Sequence, residues 1–323
     1  MAVLQTDLQA AARGDEEAFR LLVDPHRGAL HLHCYRMLGS VHDADDALQE
    51  TLLRAWRSLD GYEPRGSFAA WLYAIATNVC LTTLARRRRR PEIPVANTGE
   101  DAWSERLLHV QPYPDRLLDA LERRESVALA FVTAAQLLPP KQRAVLILRD
   151  VLDWSAKETA DALGDSVAAV NSALQRARAG LSRARSLGAP THAPPSAGDE
   201  RALLRRFMAA WDAVDIDGIV SLLARDATMT MPPEPFFVGS AAAIGEFFAT
   251  VPCEGRLDLI RLVPTAANRQ PALAAYAWDA QACVYGAYGI MVFAVEDDAV
   301  AGIVGFADAS LFERFGLPIE LTP

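Results

Sequence analysis

The sequence predicts a multidomain protein in which two all-α domains are followed by one α+β domain. Apolar residues recur at three- and four-residue spacing through residues 7–90 and again through residues 125–186, as in amphipathic helices. After residue 199 a helical pattern gives way to strand-like segments joined by an acidic turn. The chain has 323 residues, and this length alone favours two or three domains.

Two segments without apolar periodicity divide the chain. Residues 188–198, GAPTHAPPSAG, carry three prolines among small residues. Residues 91–124 contain four prolines in the stretches PEIPVANTGEDAW and HVQPYPD. Both segments are typical of linkers. The predicted domains are therefore residues 5–90, 125–187 and 199–323.

Charge and composition restrict the class of protein. The net charge of the chain is −9. All of this imbalance lies after residue 190, where the sequence has 8 basic and 17 acidic residues. A nucleic-acid site is therefore expected in the first part of the chain. The N-terminus lacks a signal-peptide pattern and no apolar run approaches the roughly 20 residues that span a bilayer, so the sequence favours a cytoplasmic protein without a membrane partner.

The cysteines and histidines do not predict a metal site. None of the four cysteines forms a CxxC pair. His31, His33 and Cys34 are close in sequence, but consecutive positions on a helix point in different directions. Reduced and mostly buried thiols are expected, with no metal and no cofactor.

The first predicted helix of interest is DADDALQETLLRAW, residues 43–56. Its buried stripe is predicted to be Ala44, Ala47, Leu48, Thr51, Leu52 and Ala55. A second face carries Asp46, Gln49, Glu50 and Leu53. Acidic residues near a helix N-terminus are stabilising by themselves, which accounts for Asp46. Glu50 lies too far along the helix for that explanation, so this face is predicted to bind a partner.

The next helix follows the breaker cluster GYEPRG, residues 61–66, and Ser67 is its predicted N-cap. Aromatic residues that accept unstacked bases, followed by arginines that bind phosphates, are typical of single-strand binding. The candidate residues are Tyr62, Trp71, Tyr73, Asn78, Arg86, Arg87 and Arg88. Core packing of the aromatic rings and a solvated arginine-rich helix end are the alternative explanations.

Residues 155–178 have the spacing of a helix-turn-helix. Ser155 and Glu158 predict a capping box, and Asp165 or Ser166 is expected to cap the second helix. The predicted inward stripe of that helix is Val167, Val170, Leu174, Ala177 and Leu181. The predicted groove-facing residues are Asn171, Ser172, Gln175, Arg176 and Arg178.

These three segments, in this order, resemble the extracytoplasmic-function class of the sigma-70 family of bacterial RNA polymerase sigma factors. The resemblance covers about residues 5–187 and implies a region two helical bundle and a region four helix-turn-helix. It implies that the face of Asp46, Gln49, Glu50 and Leu53 binds the β′ clamp helices of the polymerase core, and that region four contacts the β flap. The linker between the regions is expected to thread polymerase channels.

The resemblance also implies the roles of the nucleic-acid residues. The loop before Ser67 and the following helix would capture a flipped base of the minus-ten element. The helix of residues 167–178 would bind the minus-thirty-five element of promoter DNA. Ala173 stands where relatives often carry a basic residue, which leaves the strength of that contact open.

The C-terminal part predicts an α+β cone. One amphipathic helix is expected over residues 200–223, a strand over 227–231 and a short helix over 241–248. Residues 284–306 predict a hairpin that turns at Glu296, Asp297 and Asp298. The stretch DAVDIDGIVSLLARDATMTMPPEPFFVGSAAAIGEFF resembles SnoaL-like, nuclear-transport-factor-like domains, which implies a regulatory domain fused to the sigma regions.

Some SnoaL-like domains are enzymes, and their acid–base chemistry often uses a His–Asp pair. All six histidines precede residue 199, so only Asp212, Asp279 and Asp308 remain as candidate bases. The chain is therefore expected not to be an enzyme. A small-ligand cavity and a docking surface for the sigma regions both stay open, as do an enzymatically active domain and a DNA-binding regulator that does not engage polymerase.

Overall fold

The computed structural model describes residues 2–62, 67–89, 110–118, 124–186, 197–234 and 236–323. They form two compact units. The first unit takes residues 1–97, 117–126 and 131–187, and the second takes residues 98–116, 127–130 and 188–323. Residues 110–116 lie within the predicted linker and residues 127–130 lie near the start of the second predicted all-α domain, yet both ranges belong to the second unit.

The described part of the chain up to residue 186 is helical, as predicted. The α-helices are α1 Ala2–Ala12, α2 Glu16–Val23, α3 Arg27–Leu38, α4 Val41–Ser58, α5 Phe68–Arg89, α6 Arg124–Val127, α7 Leu129–Gln136, α8 Pro140–Leu146, α9 Ala156–Leu163 and α10 Val167–Ser186. Short 3₁₀ turns cover Asp24–His26, Leu59–Gly61 and Asp115–Leu117, and a π-helix covers Ile147–Val151.

Helices α4 and α5 begin at serine caps. The Ser40 hydroxyl accepts a hydrogen bond from the Asp43 amide at 3.2 Å, and the Ser67 hydroxyl accepts one from the Ala70 amide at 3.0 Å. The N-cap predicted at Ser67 is thus confirmed. The small residues of the predicted α4 stripe are buried, whereas Leu48 and Leu52 are half-buried.

Helix α5 meets the length and composition of a membrane-spanning helix, although the sequence predicted no such run. Its residues Leu72, Ala76 and Val79 are buried in the first unit, where the helix packs on α3 and α4. About a third of this span is buried (33 %), so packing in the bundle accounts for part of its apolar character.

The helix-turn-helix consists of α9 and α10. The predicted capping box of Ser155 and Glu158 is present, and Gly164 ends α9 in the left-handed conformation. The Ser166 hydroxyl accepts from the Ala169 amide at 3.1 Å and caps α10. The predicted inward position of Val167 is wrong, because this residue begins α10 and its side chain is 43 % exposed.

The second unit contains the predicted α+β domain. Its helices are α11 Ala197–Asp212, α12 Ile216–Ser221, α13 Ala241–Thr250 and α14 Leu311–Phe315, and two 3₁₀ turns cover Pro252–Gly255 and Leu257–Leu259. Its strands are β1 Leu223–Thr230, β2 Phe237–Val238, β3 Ile260–Ala267, β4 Gln270–Asp279, β5 Val284–Glu296, β6 Ala299–Phe306 and β7 Glu320–Leu321. The strand order is β2-β1-β6-β5-β4-β3, with β7 paired to β5.

Most of the predicted elements of this domain are confirmed. The strand at residues 227–231, the short helix at 241–248 and the β5–β6 hairpin are present. Asp297 and Asp298 have φ angles of 44° and 64° at the hairpin turn, which is the left-handed conformation that this turn requires.

The single helix predicted over residues 200–223 is two helices. Val214 has φ of 55° after α11 ends, and the Asp215 carboxylate accepts a hydrogen bond from the Gly218 amide at 2.8 Å. This N-cap starts α12 in a new direction. The apolar spacing continues across the break, which is why the pattern alone predicts one helix.

The sheet of the second unit carries apolar clusters on both faces. One cluster contains Phe207, Trp211, Phe248 and Phe293, packed among α11, α13 and the strands. The other contains strand residues, the α14 residues Leu311, Phe312 and Phe315, and two residues from the inter-region segments, Val110 and Leu129. Residues from the predicted linker and from the start of the second predicted all-α domain thus complete this cluster of the C-terminal domain.

Candidate functional site

The predicted partner-binding face of α4 lies on the surface of the first unit. Asp46 and Gln49 are exposed, Glu50 is half-exposed and Leu53 is 43 % exposed. An exposed leucine flanked by acidic side chains is suited to a partner with basic and apolar groups. Glu50 also accepts a hydrogen bond from Arg54 Nε at 2.6 Å, an i,i+4 ion pair along the helix.

A shallow pocket of about 370 Å³, widely open to solvent, lies between α4 and α5. Its lining residues are Arg54, Arg57, Ser58, Ile75 and Asn78. Guanidinium groups donate hydrogen bonds, the amide both donates and accepts, and Ile75 supplies an apolar wall. This combination suits a planar base together with its phosphate. Asn78 is the one predicted site residue in the pocket.

Aromatic residues cluster at the beginning of α5. The ring centroid of Tyr62 lies 4.9 Å from that of Trp71 and 5.6 Å from that of Phe68. Burial raises the pKa of the Tyr62 hydroxyl, which favours the neutral phenol. Trp71, Ile75 and Asn78 follow one another at helical spacing, and Trp71 therefore lies on the pocket side of α5.

Tyr73 lies on a different face of α5. Its ring contacts His33 at 5.2 Å and Trp154 at 6.0 Å between centroids. The structure therefore does not bring Tyr73 together with Trp71 and Asn78. The sequence could have predicted this separation. Each residue of a helix is rotated by about 100° from the one before, so positions 71 and 73 lie about 200° apart, on different faces.

The arginines at the end of α5 differ in their surroundings. Arg86 is exposed, whereas Arg87 donates a hydrogen bond to the Asp43 carboxylate of α4. The side chain of Arg88 lies outside the described residues. One of the predicted phosphate-binding arginines is thus paired with a carboxylate in this structure.

The predicted groove-facing residues of α10, Asn171, Ser172, Gln175, Arg176 and Arg178, are all exposed. Arg176 Nη1 donates to the Ser172 hydroxyl at 2.6 Å, which orients its guanidinium toward the N-terminal half of the helix. Ala173 is 6 % exposed and belongs to the core of the helix-turn-helix. Its side chain therefore does not lie on the exposed face of α10 that carries the predicted groove-facing residues.

Arg178 is engaged by a residue that the sequence did not single out. Its Nε and Nη2 donate to the two carboxylate oxygens of Asp150 at 2.9 and 2.7 Å. This hydrogen-bonded pair raises the pKa of Arg178. Asp150 belongs to the π-helix Ile147–Val151, 28 residues before Arg178, and no local spacing links the two.

The His31, His33 and Cys34 cluster is part of the bundle core. His33 Nε2 lies 2.9 Å from the Thr77 hydroxyl, and burial lowers the pKa of the ring from 6.5 to about 3. No group of three or more metal-ligating side chains is present in the described ranges. Cys34 and Cys80 are buried, Cys253 is half-buried and Cys283 is exposed.

The candidate bases of the C-terminal domain are turn residues or surface residues. The Asp279 carboxylate accepts from the Gln281 and Ala282 amides at 2.8 and 3.1 Å. The Asp308 carboxylate accepts from the Ser310 amide at 3.0 Å, and Asp212 is exposed. Carboxylates bonded in this way stabilise turns.

A buried polar cluster in the second unit binds residue 113 of the predicted linker and residues 127 and 129, which follow the linker. Asn268 is fully buried, accepts from the Tyr113 amide and donates to the Val127 carbonyl, both at 2.7 Å. Gln270 accepts from the Leu129 amide at 2.8 Å. Pro114 also forms a β-bridge with Ala267.

Comparisons with known families match three parts of the chain, one in each predicted domain. Residues 22–90 match Sigma-70 region 2, residues 128–181 match Sigma-70 region 4, and residues 204–303 match a SnoaL-like domain. The three matches follow one another in the order expected from the sequence.

Relatives of known function share most of the chain. It is 42 % identical to the ECF RNA polymerase sigma factor SigG of Mycobacterium tuberculosis, over 96 % of this chain and 85 % of the relative. It is 33 % identical to the ECF sigma factor SigM of the same organism, over 54 % of this chain and 81 % of the relative. The crystal structure of M. tuberculosis SigJ, 24 % identical, covers 91 % of this chain and 97 % of its own with a TM-score of 0.62, which shows a common fold.

Proposed function

This chain belongs to the extracytoplasmic-function RNA polymerase sigma factors, and from that premise we propose how its surfaces take part in transcription initiation. The protein directs RNA polymerase core to promoter DNA. We also place it in the cytoplasm, where its two partners are present.

The α4 face of Asp46, Gln49, Glu50 and Leu53 binds the β′ clamp helices of the core enzyme. Its exposure and its mixed acidic and apolar character support this assignment. Leu53 provides the apolar contact and the carboxylates steer a basic partner surface toward it. Region four, including α9 and α10, contacts the β flap.

The pocket between α4 and α5 receives an extruded base of the minus-ten element. Asn78 offers a donor and an acceptor to the base edge, and Arg54 and Arg57 offer donors to the base or its phosphate. Tyr62 and Trp71 form an aromatic surface beside it for neighbouring bases. Stacking and hydrogen bonding then offset the cost of unstacking the duplex.

The exposed face of α10 binds the minus-thirty-five element. Asn171, Ser172 and Gln175 lie in its N-terminal half, the part of a recognition helix that reaches base edges. Arg176 is exposed and binds phosphate or guanine. Arg178 contributes a phosphate contact only through the donors that Asp150 does not occupy.

The SnoaL-like domain has a structural and regulatory role without catalysis. Its candidate bases cap turns or lie in solvent, and its buried amides bind the segments that join region two to region four. A domain that organises this connection modulates the activity of the sigma regions through the chain itself.

The single observation that carries the proposed function is the exposed acidic and apolar face of α4 in a chain with both DNA-binding regions. In vitro transcription with core polymerase tests it. Promoter-dependent transcripts are expected with the wild-type chain. Duplex promoter binding without any capture of core enzyme would instead identify a helix-turn-helix regulator, and the proposed function would be wrong.

A further inference from the structure

A fourth ring joins the aromatic residues at the beginning of α5. Phe68 is 5 % exposed, and its ring centroid lies 5.6 Å from that of Tyr62, 5.5 Å from that of Trp71 and 6.2 Å from that of His26. Tyr62, Trp71 and His26 are each half-buried. One buried ring therefore packs against three rings that stay partly accessible to solvent. We name these four residues the ring cluster.

His26 reaches this cluster from another part of the chain. It ends the 3₁₀ turn Asp24–His26 between α2 and α3, and Pro25 restricts the backbone of that turn. Helix α3 starts directly after the turn and packs on α5, which brings the imidazole to Phe68. Pro25 and Arg27, on either side of His26, are exposed. His26 is far from Phe68 in the sequence, so no local spacing relates the two residues.

The ring nitrogens of His26 have no hydrogen-bond partner among the residues that the structure describes. His33, by contrast, is fully buried and its Nε2 lies 2.9 Å from the Thr77 hydroxyl. Burial lowers the pKa of His26, which favours the neutral imidazole near pH 7. A neutral, partly accessible ring with a free donor and a free acceptor is suited to stacking on a base.

The charges close to His26 in the sequence compensate one another. Asp24 Oδ2 lies 3.3 Å from Arg20 Nη1, and Asp24 Oδ1 lies 3.9 Å from Arg27 Nη1. Arg20 Nε also donates to the Glu17 carboxylate at 2.9 Å. Two guanidinium groups thus balance two carboxylates, and these four residues present no excess negative charge that would repel the phosphates of a DNA strand.

We propose that His26 is a further base-stacking residue of the single-strand surface, and that it contacts a nucleotide beside those held by Tyr62 and Trp71. This inference rests on the proposed function, in which Tyr62 and Trp71 receive bases of the minus-ten element. Every base has a face that can stack on a ring, so His26 adds affinity without adding a preference for one base. The extruded base in the pocket next to Asn78 is a different nucleotide.

Photochemical crosslinking of the wild-type chain in complex with core polymerase is the direct test. The probe is a single strand with the minus-ten element of a promoter that the protein transcribes in vitro, in which 5-iodouracil replaces each nucleotide in turn. Mass spectrometry identifies the crosslinked peptides. We expect a crosslink to His26 at a position next to one that crosslinks to Tyr62 or Trp71. Crosslinks to Tyr62 or Trp71, with none to His26 at any position, would overturn the inference.

Substitutions at His26 provide the energetic test. His26→Ala should lower the affinity of the same complex for this strand about 5-fold, the low end of base–aromatic stacking, because the ring is half-buried. His26→Phe keeps a ring and should retain the wild-type affinity. The salt dependence of binding should stay unchanged in both variants, since a neutral ring releases no counterion. Leu21→Ala, which removes an exposed side chain of α2, is the control and should bind like wild type.

A packing role for His26 would change other quantities. If His26→Ala lowers the midpoint of urea unfolding and the affinity for core polymerase along with DNA binding, or if folded His26→Phe binds DNA as weakly as His26→Ala, His26 only supports Phe68 and the inference is wrong. Failure of the proposed function is recognised separately. In that case the wild-type chain supports no promoter-dependent transcription, or the probe crosslinks to neither Tyr62 nor Trp71, and the inference about His26 fails with it.

Discussion

Arg178 of the recognition helix gives two of its donors to the carboxylate of Asp150, at 2.9 and 2.7 Å. A guanidinium bound along one edge has fewer donors left for a phosphate or a base. Arg176 donates from Nη1 to the Ser172 hydroxyl, a neutral acceptor, and keeps the rest of its guanidinium for a ligand. The two arginines on the same helix are thus unequal candidates for DNA contact.

We expect Arg176→Ala to weaken binding to duplex minus-thirty-five DNA more than Arg178→Ala does. Removing one phosphate-binding guanidinium should lower the salt dependence of binding by about one unit of slope. Fluorescence anisotropy at several salt concentrations measures both quantities. Asp150→Asn should free donors of Arg178 and strengthen binding to the same DNA. If Arg176→Ala and Arg178→Ala weaken binding equally, this ranking of the two arginines is wrong.

The α4 face allows a charge-reversal test. The double variant Asp46→Arg plus Glu50→Arg should lower the affinity for core polymerase at least 10-fold, because the new guanidinium groups then repel a basic partner surface. Stability should change little, since the Glu50–Arg54 pair is an exposed i,i+4 pair worth about 0.3–0.5 kcal/mol. Co-purification with core enzyme provides the measurement.

The matched control changes the same charge elsewhere. Asp212→Arg plus Glu254→Arg alters two exposed carboxylates of the second unit and should leave polymerase binding intact. Equal loss of binding in both double variants would indicate an effect of net charge and not of the α4 face.

The pocket between α4 and α5 predicts separate roles for its residues. Arg57→Ala should weaken binding to single-stranded minus-ten DNA and lower its salt slope by about 0.7, the value of one phosphate contact on a single strand. Asn78→Ala should change the preferred base while leaving the slope unchanged, because an amide carries no charge. Arg13→Ala, an exposed arginine outside the pocket, is the control.

Whether a structural feature can be predicted from the sequence depends on how many residues separate its interacting groups along the chain. The Ser67 cap, the Ser155–Glu158 capping box and the β5–β6 hairpin were predicted because residues within a few positions determine them. The pocket joins Arg57 to Asn78 across two helices, so helical spacing identified one lining residue and missed the other. The break at Val214 was missed because the apolar spacing continues through it.

The buried ring of His33 predicts acid sensitivity of the first unit. Burial lowers its pKa from 6.5 to about 3, so in this range the unfolded chain binds a proton that the folded chain does not. The free energy of unfolding is therefore not reduced by His33 above about pH 6.5, and it decreases as the pH falls from 6.5 toward 3. At pH 5 the loss is about 2 kcal/mol relative to neutral pH, at about 1.4 kcal/mol per pH unit.

Urea unfolding at pH 7 and pH 5 measures this loss. His33→Gln keeps a polar group near the Thr77 hydroxyl and cannot titrate, so the pH dependence of its unfolding should be smaller by about 2 kcal/mol over this range. His42→Gln, at a half-buried position on α4, is the control. An unchanged pH dependence in the His33 variant would show that other groups account for the acid sensitivity.

Asn268 makes the C-terminal domain depend on two earlier segments of the chain, residues 110–116 and 127–130. It is fully buried and bonds the Tyr113 amide and the Val127 carbonyl, so Asn268→Ala leaves two buried backbone groups unsatisfied. At roughly 1–3 kcal/mol for each of the two groups, the second unit should lose about 2–6 kcal/mol of stability. The control Gln281→Ala, which changes an exposed amide in the same unit, should lose almost no stability.

The same contacts predict that residues 197–323 alone are much less stable than the domain in the full chain, because Val110 and Leu129 no longer cover the sheet. The measurement is the midpoint temperature of thermal unfolding. If the fragment and the domain in the full chain unfold at the same temperature, the segments that contain Val110 and Leu129 do not contribute to the stability of the core.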